Sequence, residues 1–280
     1  MTWTQFDAYN SADPADSSII VFSKSSDQGL NWSEPKRISY FAGDCLDSDT
    51  TVEGAVPAVG PNGEIYVTWT GPEGLVFQKS LDGGETWLSK ETPVMNQVGG
   101  WDLTIPGIYR ANGLPILKCD ISNGPNRGRL YLNWCDQRAG EDDTDVWLVY
   151  SDDGGESWTS PKRVNQDKGV SHQFFTWMDI DQTNGNLYFV YYDRRKYNDT
   201  RTDVYMSKSV DGGSTFYDQR VSDKPFTPDP KVFFGDYLNI AAHKGIVRPI
   251  WSRMDDKKIS LYVTLIDEEK MYKEGSYYKY

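Results

Sequence analysis

The chain has 280 residues, of which 14% are aromatic, with 25 glycines and 14 prolines. A chain of this length can bury a large core, and this composition is typical of many short strands joined by tight turns. The 29 basic and 41 acidic residues give a formal net charge of −12, which excludes a nucleic-acid partner because most of the surface would repel a polyanion. No apolar run approaches the ~20 residues that a membrane span needs.

One turn motif occurs four times along the chain, in the form S-x-D-x-G-x-(T/S/N)-(W/F). Its aspartates are Asp27, Asp82, Asp153 and Asp211. An aspartate side chain can accept hydrogen bonds from backbone N–H groups just downstream, the glycine permits a backbone conformation that is costly for other residues, and the aromatic ring can fold beneath the turn. We interpret each copy as the clasp of a β-hairpin, rather than as a ligand or metal loop.

Each clasp follows a predicted strand, over residues 19–24, 75–79, 145–150 and 203–208. An apolar strand that ends in an aromatic residue precedes each of these, and a glycine-containing turn leads back to a further strand. The repeating unit therefore has four antiparallel strands, A to D, as in a propeller blade. Five units are predicted, over 1–40, 50–95, 114–166, 172–222 and 232–280; the first lacks strand A, and the last has a strand over 258–265 but no intact clasp. The prediction is an all-β β-propeller that forms a single domain over 1–280.

These motifs resemble the Asp-box (BNR-repeat) propellers of the sialidase-like family. The segment Phe234-Gly235-Asp236-Tyr237, with Pro249-Ile250-Trp251 after it, resembles the terminal blade of bacterial secreted members. The resemblance implies a secreted or cell-surface protein. Because the family usually has six or more blades, it also implies that N-terminal sequence is absent here, unless the chain closes with fewer blades.

The topology of such a unit predicts where a site can form. The B–C and D–A loops share one face of the propeller, which we call the upper face, and the clasps lie on the opposite, lower face. Loops held by a rigid scaffold are the usual place for function. The chemically capable residues expected on the upper face are Asp7, Glu53, Asp102, Asp136, Arg138, His172, Gln173, Tyr192, Asp193, Arg194, Arg195, Asp236, Tyr237 and Arg253.

The resemblance implies roles for some of these residues, since sialidases bind a substrate carboxylate with arginines and use a tyrosine nucleophile. It would make Arg138, Arg195 and Arg253 the clamp, Tyr237 or Tyr192 the nucleophile and Glu53 its base. Asp136 or Asp193 would be the acid, and Asp236 would bind substrate beside Tyr237. One feature departs from the family: the Arg-Ile-Pro motif is missing, and Thr104-Ile105-Pro106 has threonine in place of the arginine.

The aspartate–arginine pairs also have a purely structural interpretation. Asp136-x-Arg138 and Asp193-x-Arg195 occupy the same position in the repeat, and they could bridge neighbouring blades with help from Asp145 and Asp203. Acidic stretches over 44–49 and 141–143 could offer oxygen ligands to calcium, but they lack the spacing of an EF-hand loop, so solvated loops are favoured and no metal is expected. Unpaired structural roles are favoured for Cys45, Cys119 and Cys135, with one disulfide left open.

Two functions are carried forward. The first is an exo-acting glycoside hydrolase of sialidase type, which removes terminal sialic or other acidic sugars from glycans. The second is a non-catalytic propeller that binds glycans or proteins at a cell surface. In both cases we expect a monomer with a glycan as substrate or ligand, no cofactor and no membrane span.

Overall fold

The secondary structure consists of strands that form consecutive antiparallel sheets. The computed structural model describes residues 1–269, so residues 270–280, the end of the predicted fifth unit, lie outside the described residues. Between residues 1 and 267 strands are the only regular elements. They form five sheets in chain order and one two-stranded ribbon. The fold is all-β and of the β-propeller class, as the repeat predicts.

Within each sheet the strands pair in the order in which the chain makes them. Sheet 1 contains β1 (Thr2–Phe6), β2 (Ser18–Phe22) and β3 (Lys36–Arg37). Sheet 2 contains β4 (Glu53–Val59), β5 (Ile65–Thr70), β6 (Leu75–Ser80) and β7 (Thr92–Met95). The ribbon that follows contains β8 (Asp102–Leu103) and β9 (Ala111–Asn112). Sheet 3 contains β10 (Ile116–Cys119), β11 (Leu130–Asp136), β12 (Asp145–Ser151) and β13 (Lys162–Arg163).

Sheets 4 and 5 complete the described chain. Sheet 4 contains β14 (Gln173–Asp181), β15 (Asn186–Asp193), β16 (Asp203–Ser209) and β17 (Tyr217–Arg220). Sheet 5 contains β18 (Asn239–His243), β19 (Ile246–Asp255) and β20 (Lys258–Val263), and the short β21 (Ile266–Asp267) pairs with β19 beyond the end of β20. Sheets 2, 3 and 4 thus have all four expected strands, and sheet 1 lacks only strand A, as the sequence predicts.

The core lies between the sheets. The first strands of sheets 2 to 5, β4, β10, β14 and β18, contact one another in succession. Every residue of β11 is buried, because neighbouring sheets cover both of its faces. Large aromatic side chains such as Tyr131, Phe174 and Tyr188 fill the space between sheets 3, 4 and 5. Each such side chain contributes about 1.5–3 kcal/mol through burial, so packing between sheets stabilises the molecule substantially.

The four clasps share one hydrogen-bond pattern. In the second clasp the Asp82 carboxylate accepts hydrogen bonds from the backbone N–H of Thr86 at 2.8 Å, the Thr86 hydroxyl at 2.6 Å and the Ser80 hydroxyl at 2.8 Å. The Gly84 N–H donates to Ser80 Oγ at 2.8 Å. Equivalent bonds surround the three other clasp aspartates, Asp27, Asp153 and Asp211. Each carboxylate is satisfied inside its own turn, which accounts for the clasps as structural elements.

The clasps also join one sheet to the next. Lys24, which follows β2, donates to the Gly83 carbonyl at 2.9 Å and pairs with Glu85 in the clasp of sheet 2. Lys79 in β6 donates to the Gly154 carbonyl at 3.0 Å and pairs with Glu156 in the clasp of sheet 3. The clasps of sheets 2 and 3 therefore each receive a lysine from the preceding sheet.

Aromatic rings fit against the clasps at the same joints. Gly155 has φ 86°, and a Cβ atom added there would clash with the ring of Phe77 in the preceding sheet. Gly84 has φ 89° and meets the ring of Phe22 in the same way. Glycine is required at this clasp position both by the backbone conformation and by the ring that lies against it.

The three cysteines are free and buried, as the sequence favours. Within residues 1–269 no helix has the length and apolar character needed to cross a bilayer.

Candidate functional site

Loops that are far apart in the chain meet on the upper face at one arginine. Arg110, in the ribbon between β8 and β9, pairs through Nη1 with Asp47 at 2.6 Å and through Nε with Asp236 at 3.1 Å. Asp47 lies between β3 and β4, whereas Asp236 lies just before β18. Arg110 therefore ties together the connections that lead into sheets 2, 3 and 5.

Further hydrogen bonds hold the same loops. The Tyr9 hydroxyl, from the loop between β1 and β2, donates to Asp47 Oδ2 at 2.6 Å. Asn112 Nδ2 donates to the backbone carbonyl of Asp236 at 3.0 Å. The Asp49 carboxylate accepts from the backbone N–H groups of Trp101 and Asp102, each at 2.8 Å. We name this assembly the mouth cluster, and its members are Asp47, Asp49, Glu53, Asp102, Arg110, Asp236 and Tyr237.

The pKa is raised for three carboxyl groups of the mouth cluster, those of Glu53, Asp102 and Asp236. Glu53, at the start of β4, has a pKa raised to about 7, mainly by burial and then by the negative charge of Asp47. Burial is also the first cause that raises the pKa of Asp102 and of Asp236, and the pairing of Asp236 with Arg110 only partly opposes it. Near neutral pH Glu53 populates both its protonated and its ionised form, which is the condition for general acid–base catalysis.

The charge of Asp47 acts together with burial on the proton of Glu53. The Glu53 carboxyl lies within hydrogen-bonding reach of Asp47, but burial is the larger cause of its raised pKa. Ionisation of Glu53 would place a second negative charge beside Asp47 in a partly buried site. Glu53 therefore retains its proton to a higher pH than an exposed glutamate does.

Tyr237 stands at the edge of the cluster with 59% of its surface exposed. Its ring meets Trp177 edge to face, with 6.0 Å between the ring centroids. Burial around the hydroxyl and then the negative charges of Asp236 and Glu53 raise the pKa of Tyr237. A pocket of about 330 Å³ lies beside this ring, and its lining is mostly apolar: Trp177, Tyr237, Leu238, Asn239, Ile250, Trp251, Ser252 and Leu261.

The three arginines expected to form a clamp do not come together at this cluster. Arg138 is bound by Asp136 at 2.5 Å and lies between the rings of Trp134 and Trp147. It also donates to the Asn96 carbonyl of the preceding sheet. Its contacts therefore bridge neighbouring blades, as in the structural interpretation of the repeat.

Arg195 and Arg253 repeat this arrangement in the next two sheets. Arg195 pairs with Asp193 and Asp218, each at 2.6 Å, and lies over the Tyr205 ring. Arg253 pairs with Asp223 and with Asp255 and lies over the Tyr262 ring. In each sheet an arginine near the end of the second strand covers an aromatic ring of the third strand, so the pairs are part of the repeated architecture.

The remaining predicted catalytic residues on these strands are interior. Asp136 and Asp193 are 0% and 1% exposed, and their arginines cover them. Tyr192 is 1% exposed, and its hydroxyl donates to the Ser252 carbonyl at 2.6 Å. In this structure these three side chains are closed off from a substrate. The sequence placed them at the ends of the correct strands but could not show that they turn inward between blades.

The other candidates from the upper face are also occupied. Asp7 accepts hydrogen bonds from Ser17, and His172 is bonded to Thr144. Gln173 is fully buried. Arg194 is 3% exposed and donates to the Pro106 carbonyl at 2.6 Å and to the Thr202 hydroxyl.

Of the predicted residues, four belong to the mouth cluster: Glu53, Asp102, Asp236 and Tyr237. Asp47, Asp49 and Arg110 were not predicted as site residues. The sequence favours a solvated acidic loop over 44–49, and of the long connection after residue 95 it predicts only Asp102 on the upper face. Because D–A connections lead to the upper face, the length of that connection was the signal that could have identified Arg110.

Within the described part of the chain, no group of three or more His, Cys, Asp or Glu side chains is arranged to hold a metal ion. The acidic side chains of the stretch 44–49 instead accept hydrogen bonds from protein groups, as Asp44 does from the Thr50 and Thr51 hydroxyls. The mouth cluster itself offers the chemistry of its carboxyl groups, its tyrosine and its one arginine.

Comparison with solved structures shows the same fold. An intramolecular trans-sialidase from Ruminococcus gnavus matches 90% of this chain with a TM-score of 0.54 at 16% sequence identity. A Hadza microbial sialidase matches 89% with a TM-score of 0.52 at 16% identity, and a protein of unknown function from Dyadobacter fermentans matches 90% with a TM-score of 0.53 at 18% identity. The match covers 51% and 52% of the two sialidase chains and 69% of the third. No protein-family model and no curated protein matches the chain.

Proposed function

We propose that this protein is an exo-acting glycoside hydrolase whose reaction takes place at the mouth cluster. The observation that carries the proposal is Glu53, whose carboxyl group lies against Asp47 with a pKa of about 7. Glycoside hydrolysis requires one group that exchanges a proton near neutral pH and a second that attacks or stabilises the sugar. The sialidase-like fold adds support, since a propeller mouth of this kind gathers loops from several sheets.

The roles proposed for the residues follow from their surroundings. Ionised Glu53 takes the proton of the Tyr237 hydroxyl as the tyrosine oxygen attacks the anomeric carbon. The bond to the leaving group breaks, and Asp102 protonates the leaving oxygen, for which its exposure and raised pKa suit it. Water then attacks the anomeric carbon as its proton passes to the ionised Asp102, the bond between the sugar and the tyrosine oxygen breaks, and the tyrosine oxygen recovers its proton from Glu53. Asp236 and Asp47 hold Arg110 and the loops in place.

A non-catalytic glycan-binding propeller is the second candidate. It is favoured by the pairing of Arg138, Arg195 and Arg253, because a sialidase needs arginines that are free to bind a carboxylate. For either function we propose that the four clasps are Asp boxes, that the protein acts as a monomer, and that it is secreted or displayed on a cell surface as bacterial members of the family are.

A panel of 4-methylumbelliferyl glycosides that includes the sialoside separates the two candidates. We expect turnover of at least one sugar, and a loss of about 10²–10⁴-fold in Glu53→Gln and in Tyr237→Phe. Glu156→Gln on the lower face is the matched control and should retain full activity, since Glu156 only pairs with Lys79. The absence of turnover on every sugar, together with binding on a glycan array, would establish the second candidate instead.

A further inference from the structure

We infer that the sugar recognised at the mouth cluster is uncharged rather than acidic. This inference rests on the proposed function and reverses the expectation of an acidic sugar that the family resemblance gave. It depends on whether each arginine on the upper face is already paired with a carboxylate, and on the negative charge that surrounds Arg110.

Arg110 is the one arginine of the mouth cluster, and aspartates already neutralise it. Its Nη1 lies 2.6 Å from Asp47 and its Nε lies 3.1 Å from Asp236. A substrate carboxylate would have to displace one of these aspartates from a preformed ion pair. The displaced aspartate would then remain partly buried without its partner, which is costly.

The surroundings of Arg110 are strongly negative. Asp102 interacts with Arg110 as well as with Asp47, so one guanidinium meets three aspartates even when Glu53 is protonated. Asp49 adds a fourth carboxyl group beside Asp102. Like charges brought together in a partly dry site repel each other strongly and disfavour the wrong ligand. An anionic sugar is therefore rejected by the same groups that hold the loops together.

Neutral sugars suit this surface for two reasons. Carboxylates are hydrogen-bond acceptors only, and sugar hydroxyl groups supply the donors that they lack. The exposed carboxyl group of Asp102 offers such an acceptor at the surface of the cluster. The exposed Tyr237 ring, held by Trp177, offers an apolar surface for the C–H face of a sugar.

Arg194 is the strongest competing feature. No carboxylate pairs with it in the described chain, and its Nη2 is buried without a hydrogen-bond partner. However, Arg194 is 3% exposed, and it lies beneath the segment that contains Pro106, to whose carbonyl it donates. Its pKa is lowered to about 10 by burial. Reaching it would require that segment to move, so Arg194 does not alter the charge that a sugar meets at the mouth.

The decisive measurement compares kcat/KM for neutral 4-methylumbelliferyl glycosides with that for the sialoside and the glucuronide. We expect the best neutral sugar to be preferred by at least about 100-fold. A preference for either acidic sugar would overturn the inference and leave the proposed hydrolase intact. If no sugar is turned over, the proposed hydrolase fails, and an array of neutral and sialylated glycans decides the inference alone: neutral binding supports it, whereas sialylated binding or no binding overturns it.

Variants test the physical cause. Replacement of both aspartates in Asp47→Asn/Asp236→Asn frees Arg110, and we expect relative preference for the acidic sugar to rise at least about tenfold. Asp152→Asn is the matched control, because it frees Arg129 on the lower face and should leave the preference unchanged. Arg110→Gln is a test that does not need the double variant, and the preference for neutral sugars should persist in it. If Arg110→Gln or Arg194→Gln lost activity toward acidic sugars alone, that arginine would be a carboxylate clamp and the inference would be overturned.

Discussion

The lower and upper faces of this propeller use the same chemical group in opposite states. In the clasps of the lower face, hydrogen bonds from Asn31 and from Thr86 lower the pKa of Asp27 and Asp82 to about 2. In the mouth cluster of the upper face, burial and neighbouring acids raise the pKa of Glu53 to about 7. A carboxylate whose hydrogen bonds are satisfied by its own turn stabilises the fold, whereas one that lies among other acids is available for chemistry.

The aspartate–arginine pairs of the upper face belong with the clasps in this comparison. Asp136 and Asp193 are almost completely buried, but each has an arginine matched to it. Position on the upper face alone therefore does not make a residue functional. What separates the mouth cluster is an excess of acids over cations together with exposure of Tyr237.

The largest expected effect is on stability and comes from removing one of the matched arginines. Arg138→Ala leaves the buried Asp136 without its cation, although Trp134 Nε1 still donates to it, and should lower the free energy of unfolding by about 3–5 kcal/mol. Arg201→Ala is the matched control, since Asp199-x-Arg201 has the same spacing but is about half exposed, and it should leave the free energy of unfolding almost unchanged. Urea unfolding measures both. If Arg138→Ala kept full stability and lost turnover, the pair would belong to the site and the division between the two regions would be wrong.

A smaller effect is expected at the clasps. Gly155→Ala and Gly154→Ala both place a side chain at positive φ, but only the former drives a Cβ atom into the Phe77 ring. We expect Gly155→Ala to be less stable than Gly154→Ala by about 1–3 kcal/mol, the usual cost of overpacking. Thermal unfolding of the two variants gives the difference. Equal stabilities would show that the ring can move away and that the joint between sheets is loose.

The smallest effect is on the pH dependence of stability, and its sign differs between the two faces. Clasp aspartates bind protons less readily in the folded chain, so their contribution is present above pH ~3.8 and is lost as the pH falls through about 2. Glu53 binds its proton more readily in the folded chain, so its contribution is present below pH ~4.5 and is lost as the pH rises to about 7.

Two variants separate these two contributions to the pH dependence of stability. Glu53→Gln should reduce the fall in stability between pH 4.5 and 7 and leave the fall at acid pH unchanged. Asp82→Asn should reduce the fall at acid pH and leave the fall between pH 4.5 and 7 unchanged. The difference between each variant and the parent is the quantity to measure, because burial also raises the pKa of Asp145 and Asp193 to about 6. A Glu53→Gln curve parallel to that of the parent would mean that Glu53 titrates normally, and the basis of the proposed catalysis would be lost.

The sequence predicts the strands well because the signals that define them are local. The strands expected over 75–79, 145–150 and 203–208 are β6, β12 and β16, each held at its end by clasp hydrogen bonds that span at most four residues. The mouth cluster is different. Asn112 and Asp236 are 124 residues apart and meet only because the sheets are arranged round one mouth. The topology predicts Asp236 on the upper face but does not predict that Asn112 meets it there.

The arginines show a second limit. The spacing Asp-x-Arg is compatible with an aspartate that pairs with its own arginine and with an aspartate that faces a substrate while the arginine binds elsewhere. What decides is the aromatic ring across the strand pair, Trp147 for Arg138 and Tyr205 for Arg195, which draws the guanidinium back over the sheet. The sequence contains those rings, but whether they face the arginines depends on the register between the strands.

The lysine joints of the lower face have a consequence for how the molecule unfolds. Each joint runs from one sheet to the next along the chain, from Lys24 to the clasp at Gly83 and from Lys79 to the clasp at Gly154. An inner sheet is held by a neighbour on each side, so unfolding should begin in sheets 1 and 5 and proceed inward one sheet at a time. Amide hydrogen exchange should accordingly be slowest in β11 and β15, and the mouth, which sheets 1, 2 and 5 help to build, should lose its shape before the centre of the molecule melts.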